Sequence, residues 1–350
     1  MATEGHAAAN AQGVSRTFPN GIIALNQVSV AIERGSITAL VGRNGSGKTT
    51  LLKVLGGLLA PQSGAVQILG ESADRPSRSM RSRVGYVSQA PELDPEVTGL
   101  ETLSLFAVLF GVSRDERNAR AEWLAANFGL TEHLSRPVAE YSGGLRQRLH
   151  LAIGFVHEPE LLLLDEPTAA LDPAGRAFVW DLLEQQRSQG RTVVVVTHDL
   201  PDVARHCQNL VLLQRGRVLA TGSPSELMTA HAPWTLLMEL TESGRDDATL
   251  VAQLSTIAAV RNVSLRQDWA RLELIGGEAR EAQATAERVL DFLSRQQVAV
   301  NSLLLHAPDL AGAYFRLTGE DLGKEGAPDA AATGEDRGAR GKRGQRGDRP

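Results

Sequence analysis

One glycine-rich octapeptide constrains this chain more than any other feature. Gly42, Arg43, Asn44, Gly45, Ser46, Gly47, Lys48 and Thr49 follow one another, with Thr50 next. An apolar run at 36–41 precedes them, and an apolar-periodic stretch at 49–57 follows. A strand, a tight glycine turn and a helix are therefore expected in succession. In that setting the glycines let successive N–H groups face an anion, and the positive end of the helix points the same way. Lys48 places a cation on the β- and γ-phosphates of a nucleotide, and the Thr49 hydroxyl can ligate Mg²⁺. The octapeptide reads as a phosphate-binding loop.

A second run agrees with it. Four adjacent leucines at 161–164 end in Asp165, Glu166 and Pro167. Leucines on both faces suit a central parallel strand. Asp165 then emerges at the carboxyl end of that strand, where open α/β sheets bind ligands, and is expected to reach Mg²⁺ through water. Glu166 points elsewhere and is the candidate general base that orients or deprotonates an attacking water. A valine run at 193–196 leads in the same way to Thr197 and His198. Further strands are expected at 13–18, 22–32, 65–69 and 210–213, with apolar residues at helical spacing over 103–110, 114–128 and 145–155. Strands alternating with helices imply a largely parallel sheet covered by helices, with a helical insert at about 90–158.

The polar, turn-rich stretch 242–247 reads as a linker. Beyond it, helices at 248–257 and 278–296 and strands at 260–266, 271–274 and 299–305 suit a small α/β unit. The stretch 323–350 has no large apolar residue and reads as disordered. Its Arg/Lys run suits a solubilising tail better than a surface for lipid or nucleic acid, because acids interrupt it.

Composition excludes other classes. A net charge of −5 gives no sign of a nucleic-acid surface, and Cys207, the single cysteine, permits no intrachain disulfide and suits a reducing compartment. No apolar stretch approaches the roughly 18 residues that span a bilayer, and the first residues lack a signal-peptide pattern. The chain is expected to be cytoplasmic, with any membrane role passing through a partner. The remaining histidines form no metal-ligand spacing.

Between the leucine run and the phosphate loop stand Gln89, in Gly85-Tyr-Val-Ser-Gln89, and Tyr141, Ser142, Gly143 and Gly144. Ser142 is placed to cap a helix, and the two glycines leave N–H groups open to an anion. Leu171 and Asp172 follow the carboxylates. The ordered set resembles the ATP-binding cassette (ABC) ATPases, over about residues 13–227. Tyr141 and Leu145 depart from the usual Leu-Ser-Gly-Gly-Gln form of that family's signature. The resemblance implies a P-loop NTPase ABC ATPase core of α/β class, a mixed sheet with a helical subdomain, plus a small C-terminal α/β domain and a disordered tail. The expected divisions are a flexible 1–12, an ATPase domain at 13–242, an accessory domain at 243–322 and the tail at 323–350.

The family pattern assigns roles to these positions. Gln89 matches the Q-loop glutamine, touching Mg²⁺ and the attacking water. His198 matches the switch histidine, bonding the γ-phosphate and holding the water of Glu166. Asp172 matches the D-loop, which meets the opposite protomer's phosphate loop. Phe18 stands where an aromatic ring often stacks on adenine. Two cassettes pack head to tail in this family, each ATP lying between one phosphate loop and the other copy's Ser142 loop. One cassette is present here, so a second copy or a paralogous ATPase subunit is implied.

A transporter ATPase is the expected reading; the alternative is a soluble ABC ATPase acting on nucleic acid or ribosomes. Soluble relatives carry a long coiled coil between phosphate loop and signature, or two cassettes, and this chain has neither. The ending Ala313-Tyr-Phe-Arg-Leu-Thr-Gly319, with 93–98 and 106–111, looks like the ABC-2 exporter class, although an acidic pair usual before the aromatic is absent. That class implies an integral membrane permease contacting about 93–110, and a peripheral location on the inner face of the cell membrane.

Overall fold

The structure, a computed structural model, describes residues 7–74, 77–90, 92–169, 171–241, 246–266, 268–275 and 278–319. β1 (Ala7–Thr17) and β2 (Ile23–Glu33) pair antiparallel, and β3 (Ile37–Val41) leads through the glycine loop into α1 (Lys48–Leu55). β4 (Ser63–Ile68), β5 (Glu71–Ser72) and the one-turn α2 (Arg78–Arg81) precede β6 (Val84–Val87). Three helices follow, α3 (Gly99–Leu109), α4 (Arg117–Asn127) and α5 (Gly143–Gly154). β7 (Leu161–Asp165), α6 (Pro173–Ser188), β8 (Thr192–Val196) and α7 (Leu200–His206) return to the sheet. β9 (Asn209–Gln214), β10 (Arg217–Gly222) and α8 (Pro224–His231) come next. The remainder is β11 (Trp234–Leu240), α9 (Asp247–Leu254), β12 (Val260–Arg266), β13 (Trp269–Leu274), α10 (Ala279–Arg295), β14 (Val300–His306) and α11 (Leu310–Thr318).

The sheet that carries the candidate site has the order β10-β9-β3-β8-β7-β6. The five strands from β9 to β6 run parallel, and β10 closes the edge antiparallel. Every residue of β3, β7 and β8 is buried, as the uninterrupted leucine and valine runs require of strands covered on both faces. One face packs on α1 and the β2-β1-β4-β5 sheet; the other packs on the helical insert and α6. The α/β class with a mixed sheet and helical insert is thus as expected.

The expected divisions need two corrections. Residues 7–12, placed in a flexible N-terminus, lie in β1, with Ala8, Ala9 and Ala11 buried between β2 and β4. Their side chains are too small to give an apolar signal, and pairing on both edges supplies what they lack. The second correction concerns the accessory unit. Its antiparallel sheet, β12-β13-β11-β14, contains β11, which precedes the expected start at 243. β11 is central, and Leu236, Met238 and Leu240 anchor the accessory core with Leu272, Val289 and Leu293. The turn-rich stretch joins β11 to α9 inside that unit, and its residues 242–245 lie outside the described ones. At the other end α11 packs on α8 and α7, and places Leu310 and Tyr314 in the core of the first unit. Its opposite side meets the accessory sheet, where Arg316 bonds Glu273 at 2.8 Å and Arg271 lies over the Phe315 ring. The expected tail, 323–350, falls outside the described residues.

Candidate functional site

The glycine loop is built by sterics. Gly42, Gly45 and Gly47 all have positive φ, at 157°, 79° and 105°. A Cβ on Gly47 would collide with the Ala24 carbonyl, and one on Gly42 with the Leu213 carbonyl. The loop therefore lies directly against β2 and β9, and only glycine permits that approach. α1 starts on Gly47 with no side-chain cap, so its first N–H groups open towards the loop. Lys48 is 7% exposed, and its Nζ donates to the carbonyls of Gly42 at 2.7 Å and Arg43 at 3.0 Å. The ammonium is held under the loop, where it can meet a phosphate.

Asn44, Gly45, Gly47, Lys48, Thr49 and Thr50 share a cleft of about 280 Å³ with Phe18, Gln89, Asp165 and Glu166. Asp165, 3% exposed, ends β7; burial raises its carboxyl pKa, against which a hydrogen bond from Thr49 and the charges of Lys53 and Lys48 act. Buried carboxylate, hydroxyl and the Gln89 amide form an oxygen-donor set that suits a hard cation such as Mg²⁺. Phe18 is half-buried at the cleft mouth, with Arg16 over its ring at 5.6 Å.

Glu166 is 8% exposed and holds a left-handed backbone, φ 50°, which is costly for a residue with a Cβ. Its N–H donates to the Val196 carbonyl at 3.0 Å, tying the turn after β7 to the end of β8. His198, also at the end of β8, approaches both carboxylate oxygens through Nδ1, at 3.0 and 3.1 Å. The two strand ends thus bring together a carboxylate able to accept a proton and an imidazole that orients it. His198 stands beside the cleft, exposed, rather than in its lining.

Ser142 lies elsewhere. It caps α5, accepting from the Leu145 N–H at 3.3 Å. Ser142, Gly144 and Asp172 line a separate recess of about 390 Å³ with Leu145, Arg148, Leu171 and Gly175, and no residue of it lines the cleft. Gly143 is exposed beside them. Asp172 caps α6, accepting from the Gly175 N–H at 2.7 Å. The far side of the glycine loop, Arg43 and Ser46, forms a third recess with Gln214, Arg215 and Tyr314 of α11. Within one chain, then, the predicted residues are spread over the Lys48 cleft, the recess behind the glycine loop and the Ser142 recess.

Sequence reasoning missed Ile22, Ala24 and Val196 in the cleft wall. These are ordinary apolar residues, and nothing in their spacing distinguishes them from core. Gln147, in the Arg146-Gln147-Arg148 run that follows the signature, is buried on α5, which its polar neighbours in sequence do not mark.

Comparison with known proteins agrees with this geometry. Residues 25–169 match the sequence profile of the family described as ABC transporter. A daunorubicin resistance ATP-binding protein of Streptomyces coeruleorubidus is 32% identical over 298 residues, covering 85% of this chain and 92% of that protein. A Nod factor export ATP-binding protein I of Burkholderia lata is 34% identical over 253 residues, covering 72% and 82%. Among solved structures, a dimeric ATP-binding cassette in a post-hydrolysis state, bound to ADP and phosphate, superposes with a TM-score of 0.57. It is 30% identical over 61% of this chain and 98% of its own.

Proposed function

Because the chain belongs to the ABC transporter family as an ATP-binding, ATP-hydrolysing subunit, we propose that it powers an ABC-2-type exporter through a separate membrane permease. The relatives named for drug resistance and for Nod factor export support the direction of transport. The observation that carries the mechanism is the separation of the Lys48 cleft from the Ser142 recess within one chain. A second copy, or a paralogue, brings its Ser142 loop over the ATP held in the first copy's cleft. Two helix N-termini, those of α1 and α5, then converge on one phosphate group.

In this reading Phe18 stacks on the base, and the N–H groups of 42–50 with the Lys48 ammonium hold the phosphates. Thr49 and Gln89 would hold Mg²⁺, with Asp165 reaching it through water, and the ion would neutralise phosphate charge. Glu166 takes the proton of the attacking water, and His198 orients that carboxylate and reaches for the γ-phosphate. Asp172 meets the neighbour's phosphate loop while capping α6. Residues 7–231 form the ATPase unit, and 234–306 the accessory unit, with α11 joined to both.

Among the described residues no helix is long and apolar enough to cross a membrane. The exposed ridge of Leu105, Val108 and Leu109 on α3 and Phe110 at its C-cap supports docking of a permease helix there, with the chain peripheral on the inner face of the membrane. Glu166→Gln tests the mechanism. The variant binds ATP, forms a persistent ATP-bound dimer and loses turnover by about 10²–10³-fold. Native turnover would remove Glu166 as the base. Purification of native complexes tests the partner: recovery with ribosomes or DNA and no integral membrane protein would overturn the transporter reading.

A further inference from the structure

Glu166 occupies an unfavourable backbone region, so something outside the turn must hold it. Two restraints act on its own backbone: its N–H donates to the Val196 carbonyl at the end of β8, and its carbonyl accepts from the Ala169 N–H at 3.3 Å. A third acts on the next residue, from α5. Gln147 of α5 is 4% exposed and donates its Nε2 to the carbonyl of Pro167 at 3.1 Å. Pro167 follows Glu166 directly, has no N–H of its own, and fixes φ on the far side of the strained residue.

α5 is also the helix whose first residues, beyond the Ser142 cap, border the second recess. One turn after Gln147, His150 points Nε2 at the Ser88 hydroxyl at 3.4 Å, next to Gln89 in the cleft wall. The same helix therefore touches the turn behind the base and the segment behind the glutamine. The Gln147 bond is the shorter and the more buried of the two.

We infer that Gln147 is a positioning residue for ATP hydrolysis: its amide anchors the Glu166–Pro167 turn to α5, so that seating the Ser142 end of α5 on a neighbour's nucleotide sets the carboxylate. The inference rests on the reading of Glu166 as the base. Burial of an amide has a cost unless its hydrogen bond is made, and this one is made to the residue beside that base. A displacement of about 1 Å in a reacting group can reduce turnover by about a hundredfold, so a single anchor matters kinetically even where the fold tolerates its loss.

The test uses the full chain with Gln147→Met, which keeps length and removes the donor, and Gln147→Glu, which presents a carboxylate to the Pro167 carbonyl. In Gln147→Met, kcat falls about tenfold while KM for ATP stays within about twofold, and the ATP-bound dimer persists longer than in the native protein. Gln147→Glu loses more, and it remains a test if the methionine variant does not fold. A folded variant with native kcat, or a fall in kcat accompanied by an equal loss of ATP affinity, would overturn the inference. Glu166→Gln is measured alongside. Loss of turnover there with native rates in both Gln147 variants sinks the positioning role alone, whereas native turnover in Glu166→Gln sinks the underlying reading.

Discussion

Gly42 and Gly47 of the phosphate loop and the two glycines of the Ser142 loop meet opposite surroundings. A Cβ on Gly42 or Gly47 would strike backbone of the same chain, whereas Gly143 has nothing within 4 Å and Gly144 approaches only Leu171 Cδ2, at 3.9 Å. Charge divides the same way. The cleft holds the buried Lys48, Asp165 and Glu166; the charged residues of the recess, Arg148 and Asp172, are half-buried and exposed, with Arg148 over the Phe178 ring. One loop needs glycine to fold against its own protein. The other leaves glycine facing open space, which leaves room for the second copy proposed to dock there.

This contrast can be broken most severely at Gly47. Gly47→Ala forces the loop off β2, and nucleotide affinity is expected to fall by at least about a hundredfold, measured by titration with a fluorescent ATP analogue. Affinity within a few-fold of native would mean that the loop is not held by that contact. Gly143→Arg should do the reverse. The isolated chain folds and binds ATP normally, but ATP-dependent dimerisation and turnover are lost, because the added side chain fills the recess. Turnover surviving in that variant would place the second half of the site elsewhere.

A sharper form mixes two inactive chains, Lys48→Ala and Gly143→Arg. Random pairing leaves one intact composite site in half of the dimers, so about a quarter of native activity returns. No recovery on mixing would argue against a site shared between copies.

A smaller effect distinguishes the two regions by charge. Burial raises the Asp165 pKa, so its ionised form is penalised in the folded state. A carboxylate with a raised pKa carries that penalty at pH above its folded value and is free of it below the unfolded value of about 3.9. Asp165→Asn, which still accepts from Thr49, should therefore raise Tm by about 1–2 °C at neutral pH without added metal, the gap closing as pH falls. The same variant should lose Mg²⁺-supported turnover. Least of all, Gly144→Ala should leave Tm within about 1 °C of native, since its methyl group meets only ordinary van der Waals contact.

Much of the fold was legible along the chain because its signals are local. Runs of leucine and valine mark strands buried on both faces, and they did so for β7 and β8. Caps behaved likewise: Ser142 and Asp172 hold the helix starts that their types favour. β11 was not legible in the same way. Its residues resemble the end of the first unit, and only pairing with β13 and β14, distant in sequence, assigns it to the second. α11 is harder still, because its two sides serve different units, Leu310 and Tyr314 on one and Phe315 and Arg316 on the other.

For the candidate site the division is similar. Residue types and order alone determined which side chains can hold phosphate, a hard cation and a water, since that chemistry depends on functional groups and on strand ends. Tertiary structure decided which of them meet. It set Glu166 in a left-handed turn with His198 on its carboxylate, hung Pro167 from Gln147, and kept Ser142 away from Lys48. Those relations join residues through separate strands and helices, and no spacing along a chain encodes a distance that only packing creates.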